Sequence, residues 1–181
     1  MTEPHAFIET ARFLLRPLTV DDASARYLSW FVDPTVGVHI SSAEAMDGLE
    51  EVRRYISHRV DRDDVVFLGI FDKQAGEHIG NIKYEPIDVE HKFAVMGILI
   101  GEAAYRGKGV AAEVLHSSVQ WLREHRGLTH IILTVDPDHA QAVRAYEAAG
   151  FSVGCPSHFV PVGRVLTMVK WLEDDVATPG D

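Results

Sequence analysis

The apolar positions along this chain change period several times, and each change marks an element. Residues 7 to 18 (FIETARFLLRPL) alternate partially and end at Pro17, which predicts an opening strand running into a turn. Thr19 with Asp22, and Ser41 with Glu44, have capping-box spacing and predict helices over about 20 to 32 and 42 to 60, broken at Asp33-Pro34. From residue 65 the runs shorten to strand length: VVFLGIF, then HIGNIKYEP after a turn at Lys73 to Glu77, then KFAVMGILIG. Three sequential antiparallel strands are the simplest pairing. Over 107 to 125, Val110, Ala111, Val114, Leu115, Ser118, Trp121 and Leu122 form one small-and-apolar stripe of a helix that Gly127 ends. HIILTV at 130 to 135 reads as a buried strand. Asp136-Pro137 then opens a helix to Ala149, with Gly150 at its stop and strands over 151 to 159 and 162 to 171 after it.

This order, one strand, two helices, three strands, helix, strand, helix and two strands, predicts an α/β (α+β) fold. Its sheet is single, mixed and mostly antiparallel, with about seven strands flanked by about four helices. Strand 94 to 101, helix 107 to 125 and strand 130 to 135 form a right-handed crossover, so that pair of strands is parallel. With 181 residues and no internal linker, the expectation is one domain over 1 to 174 and a frayed tail over 175 to 181.

Charge then narrows the partners. Lys and Arg total 17 against 27 Asp and Glu, a net of −10, which disfavours nucleic acid and anionic membrane surfaces. The longest apolar run, 93 to 100, falls far short of the roughly 20 residues a spanning helix needs. A lone cysteine, Cys155, forms no internal disulfide, and the start MTEPHAFIET shows no secretory pattern, so the cytoplasm is the default expectation. Ten histidines occur without an HxxxH or HExxH pair, and no metal is expected. Trp30, Trp121 and Trp171 read as packing anchors.

The most informative stretch is Arg106-Gly107-Lys108-Gly109-Val110-Ala111, which joins a strand to the start of the strongest helix. The first amides of a helix lack internal acceptors, and glycine lets an anion approach the main chain, so this bend suits a phosphate. Arg106 and Lys108 add positive charge in an acidic chain. The spacing matches neither a P-loop nor a dinucleotide fingerprint.

Here the sequence resembles the GCN5-related N-acetyltransferase (GNAT) superfamily, whose cofactor loop reads Gln/Arg-x-x-Gly-x-Gly/Ala. Arg106, Gly109 and Ala111 fill those three positions, and VDPDHAQAVRAYEAAGF matches the family's second signature at Ala142, Tyr146, Gly150 and Phe151. The resemblance implies acetyl-CoA as cosubstrate, its pyrophosphate on the amides of Gly107 to Ala111. It also implies main-chain contacts from Ile98, Leu99 and Ile100 to the pantetheine arm, with a strand irregularity near Gly97 or Gly101. Tyr146 becomes the general acid, since a phenol stays protonated at neutral pH. His139 stands where the family commonly has Asn on the cofactor arm, which changes that contact. The strand glutamate of many relatives is missing, because the aligned stretch is Ala94-Val95-Met96-Gly97. Glu85 is the best substitute base, with Asp88, Glu90 and His91 weaker. The implied acceptor is a primary amine of a small molecule, such as an amino sugar or an aminoglycoside-like amine. A protein N-terminus as in ribosomal-protein acetyltransferases is the alternative, a non-catalytic CoA-binding module the second, and homodimer formation is common among relatives.

Overall fold

The computed structural model describes residues 6–33 and 46–172. In it the opening run is a hairpin rather than one strand, β1 (Ile8–Glu9) and β2 (Phe13–Pro17), paired antiparallel. The following strands are β3 (Val66–Asp72), β4 (His78–Asp88), β5 (Phe93–Ile100), β6 (His130–Val135), β7 (Ser152–Val153) and β8 (Leu166–Trp171). They form one eight-stranded sheet in the order β1-β2-β3-β4-β5-β6-β8-β7. All neighbours are antiparallel except β5 and β6, the pair joined through a helix.

The helices are α1 (Ala25–Val32), α2 (Leu49–Ser57), α3 (Val110–Arg126) and α4 (Ala140–Ala148). The Thr19–Asp22 capping box exists, but it caps a single 3-10 turn, Val20–Asp22. Ser24 then recaps the chain, its hydroxyl accepting from the Tyr27 amide, so the expected helix over 20 to 32 comes in two pieces. Helix α2 begins after Gly48; the predicted Ser41–Glu44 box and Pro34 lie outside the described residues, as does the tail from 173. Helix α3 ends at Gly127 with φ +63, the left-handed stop that glycine supplies. Helix α4 starts later than expected, since Pro137 and Asp138 are held in a turn by Asp136.

Strand alternation distributes the core over both faces. Ile82, Tyr84, Ala94 and Met96 join Val114, Leu115 and Leu122 of α3 in the main cluster, with Tyr146 of α4 packed against it. The Tyr84 hydroxyl, fully buried, pairs with Ser118 Oγ at 2.7 Å, which satisfies the polar member of the α3 stripe. The opposite face carries Phe67 against Tyr27, Trp30, Val52 and Ile56 of α1 and α2. A third cluster on that face packs Phe93, Val95, Ile132 and Val169 with Phe159 of the loop before β8. Trp30 is buried as expected, whereas Trp171 is exposed and lies against the His130 ring.

Candidate active site

Strand β5 is held differently on its two edges. Toward β4 its ladder runs the whole length, from Asp88↔Phe93 to Gly80↔Ile100; toward β6 it stops at Val95↔Ile132. Beyond Val95 the two parallel strands part, and the half-buried Ile98, Leu99 and Ile100 lie along the opening. The expected irregularity at Gly97 or Gly101 is not on β5. The register shift falls on β4, between Tyr84 and Ile87, where Glu85 and Pro86 supply the extra residue. The two glycines serve other ends. A Cβ at Gly101 would lie 2.0 Å from the Trp30 indole, whereas a Cβ at Gly97 would meet no atom of the described residues within 4 Å. Among the described residues nothing stands over Gly97, on the face that carries α1 and α2.

The bend after β5 turns through left-handed Gly107 (φ +70) and Gly109 (φ +74), the latter at the N-cap of α3. Side chains are strained at such φ values. Among the described residues, no protein acceptor takes the backbone N–H of any residue from Gly107 to Ala112. Those donors, at the positive end of a 17-residue helix, make an anion cradle. Lys108 is exposed beside it.

Arg106 does not face this cradle. Its guanidinium turns back to donate to the carbonyls of Ile100 (2.9 Å) and Gly101 (2.6 Å) and pairs with Asp33 at 3.1 Å, fastening the bend to β5 and to the end of α1. Arg106 is thus a brace rather than a phosphate ligand, and the carbonyl of Ile100 is already taken. Trp30 Nε1 donates to Glu102 at 2.9 Å, a second tie from α1 to the same bend.

Two residues unmarked by the sequence complete the cradle. Arg12, on the β1–β2 hairpin, donates Nη2 to the Lys108 carbonyl at 3.1 Å and Nε to Glu113 at 2.7 Å. Glu113 is the acid of the first turn of α3 and also accepts from Thr10 Oγ1 and the Arg12 amide. Burial works against its ionised form, but the hydrogen bonds from Thr10 and Arg12 outweigh it and hold the carboxyl below its ordinary range. The hairpin thereby pairs the first-turn carboxylate that would otherwise repel an anion there. The acid in a first helical turn was a local signal; its partner, 101 residues away, was not.

On the α3 side of the sheet, Tyr146 packs half-buried with its ring edge-on to Phe151, centroids 5.9 Å apart. Its hydroxyl has no hydrogen bond among the described residues, and burial pushes its pKa up, so it holds its proton. His139 occupies the N-cap position of α4 without a side-chain cap; its carbonyl accepts the Val143 amide at 3.1 Å.

Glu85, the expected base, lies elsewhere in character. Arg59 and Arg62 reach it at 2.8 Å each and Lys83 at 3.2 Å. Burial favours its neutral form, but Lys83 and Arg59 prevail and lower its pKa. A carboxylate pinned by three cations is a poor proton acceptor, so Glu85 is a structural counter-charge and not a free base. Asp88 accepts from the His91 amide and ring, and Glu90 is exposed in the turn. Among the described residues no group of three or more His, Cys, Asp or Glu side chains has metal-binding geometry. None of the helices there is long and apolar enough to cross a membrane.

A cavity of about 530 Å³ opens at the far end of β3, between Pro17, Leu18, Arg59, Phe67 and Trp121. None of its lining residues belongs to β5, the glycine bend or the start of α3.

The sequence model of the acetyltransferase (GNAT) domain family matches residues 12–152. A mycothiol acetyltransferase of Corynebacterium glutamicum is 30% identical over 129 residues, 66% of this chain and 41% of that protein. The match thus spans about two-fifths of the relative's length. Among solved structures, a ribosomal L7/L12 α-N-protein acetyltransferase in complex with coenzyme A superposes with a TM-score of 0.79 at 13% identity, over 92% of this chain and 98% of that one. A dodecameric spermidine N-acetyltransferase from Vibrio cholerae gives 0.66 at 21% identity, over 89% and 94%.

Proposed function

The chain belongs to the GNAT acetyltransferase family, and from that premise we propose that it moves an acetyl group from acetyl-CoA to a primary amine, with both substrates bound at once. One observation carries the reading: the amides from Gly107 to Ala112, which have no acceptor among the described residues, lie beside a strand pair that parts at Val95. The cradle fits a pyrophosphate, and the β6-facing edge of β5 offers main-chain groups of Ile98 and Leu99 to an amide-bearing arm.

Bound acetyl-CoA supplies an activated thioester carbonyl. The protein's part is to hold and orient. Gly107 and Gly109 bare the amides, Arg106 and Arg12 fix their direction, and Tyr146 Oη offers a proton toward the sulfur as negative charge gathers there. An amine enters from the opposite face, over Gly97, where a Cβ would meet none of the described residues. The two substrates therefore meet through the split in the sheet, one from each face.

The acceptor we favour is a small-molecule amine, in keeping with the mycothiol acetyltransferase relative; a protein N-terminus is the alternative, favoured by the likeness to the ribosomal-protein enzyme. The capture of Glu85 and the aliphatic Val95 support a further reading, a module that binds CoA without transfer. An amine panel separates it from the enzyme. The shared claim is tested by calorimetry: Gly109→Val, which strains the N-cap and screens the amides, is expected to weaken acetyl-CoA binding by about 10-fold or more. Unchanged affinity would remove the cradle and the assignment resting on it.

A further inference from the structure

We infer that the acceptor carries an anionic group beside its amine, a carboxylate or a phosphate, and that Lys83 and Tyr55 receive it. The inference rests on the reading just given, that the amine enters over Gly97.

Lys83 stands directly opposite Gly97 in the β4–β5 register, and neighbouring strands lie about 4.8 Å apart. Its neighbours Ile82 and Tyr84 point into the α3 side of the core, so Lys83 projects to the other face, toward the space Gly97 leaves open. There its Nζ donates to Tyr55 Oη at 3.3 Å and pairs with Glu85 at 3.2 Å. An ammonium has three donors, and a hydroxyl that accepts still has a proton to give. One Lys83 N–H and the Tyr55 O–H thus have no acceptor among the described residues. Tyr55 is fixed for this purpose, with Arg59 3.8 Å over its ring and Phe67 edge-on at 5.6 Å.

Charge points the same way. Lys83 shares the single carboxylate of Glu85 with Arg59 and Arg62, so its charge is neutralised only in part. In a chain with a net charge of −10, Lys83 and Tyr55 thus turn a wall with an ammonium and two donors, free among the described residues, toward the opening. That wall favours an acid on the acceptor and repels the second ammonium of a diamine or polyamine.

The test is steady-state acetylation by the purified chain, with kcat/KM referred to the unprotonated amine of each acceptor: glycine against glycinamide, 2-aminoethyl phosphate against ethanolamine, and spermidine. We expect at least one acidic member to exceed its neutral partner about 10-fold or more in kcat/KM, with spermidine poorest; which pair responds tells carboxylate from phosphate. Lys83→Gln should shrink that ratio about 10-fold through KM, with the thermal midpoint retained, and Lys83→Arg should restore most of it. Preference for spermidine or for neutral amines, or a Lys83→Gln effect equal on both members of a pair, overturns the inference while leaving the acetyltransferase reading intact. No acetylation of any amine, together with no binding of acetyl-CoA, overturns both.

Discussion

Tyr146 sits in surroundings that keep its proton on, and that is the property the transfer uses. Its ring is fixed by Phe151, while its hydroxyl is committed to no described protein partner. Tyr146→Phe keeps the packing and deletes the donor, so kcat should fall about 100-fold while acetyl-CoA affinity stays within about twofold. Single-turnover acetylation with calorimetry checks both halves; an unchanged rate would take the acid role from Tyr146. Glu85 shows how environment decides between similar residues. Its place at the end of an apolar strand was readable, but Arg59 and Arg62 come from the segment around the end of α2, and only folding brings them onto it. Lys83 had a local signal, a charge between the apolar Ile82 and Tyr84. What it faces depends on the register with β5.

At the scale of elements, the cradle is an assembly of four parts: the end of β5, the glycine bend, the start of α3 and the β1–β2 hairpin. Helix α1 closes over them through Trp30 and Asp33. The bend itself was legible, because two glycines just ahead of an amphipathic stripe mark a turn into a helix start, where amides lack internal acceptors. The direction of Arg106 was not, since a cation beside a phosphate loop reads equally as ligand or brace. The brace makes a prediction of its own: Arg106→Gln releases the Ile100 and Gly101 carbonyls and should cost about 1 to 3 kcal/mol of stability. Acetyl-CoA affinity should weaken with it, by about 10-fold, because the amides lose their aim. Chemical denaturation and calorimetry read the two effects; loss of affinity without loss of stability would make Arg106 a direct ligand after all.

For the whole molecule, acid sensitivity follows from buried histidines. His130, 2% exposed, has its Nε2 3.0 Å from that of His158, which ties the loop before β8 to β6. Burial, and then His158, lower the His130 pKa, and burial lowers that of His78 among Phe71, Tyr27 and Trp30. A histidine below its ordinary value of about 6.5 favours the fold while neutral. Its stabilisation is fully present above that pH and is lost as pH falls through the folded-state value. The thermal midpoint should therefore drop between about pH 7 and 5, and His130→Phe should flatten part of that slope; a flat wild-type profile would show that neither ring is charged at a cost. Period and spacing by themselves determined the order of elements, the mixed sheet, the glycine bend and the tyrosine helix, because each depends on residues near in sequence: turns, caps, and alternation against a helical stripe. The hairpin at the start, the parting of β5 from β6, the pinning of Glu85 and the pairing of Arg12 with Glu113 were decided only by the tertiary structure. Those depend on which distant groups share a surface, and one chain's pattern of polar and apolar positions holds no record of a partner across the sheet.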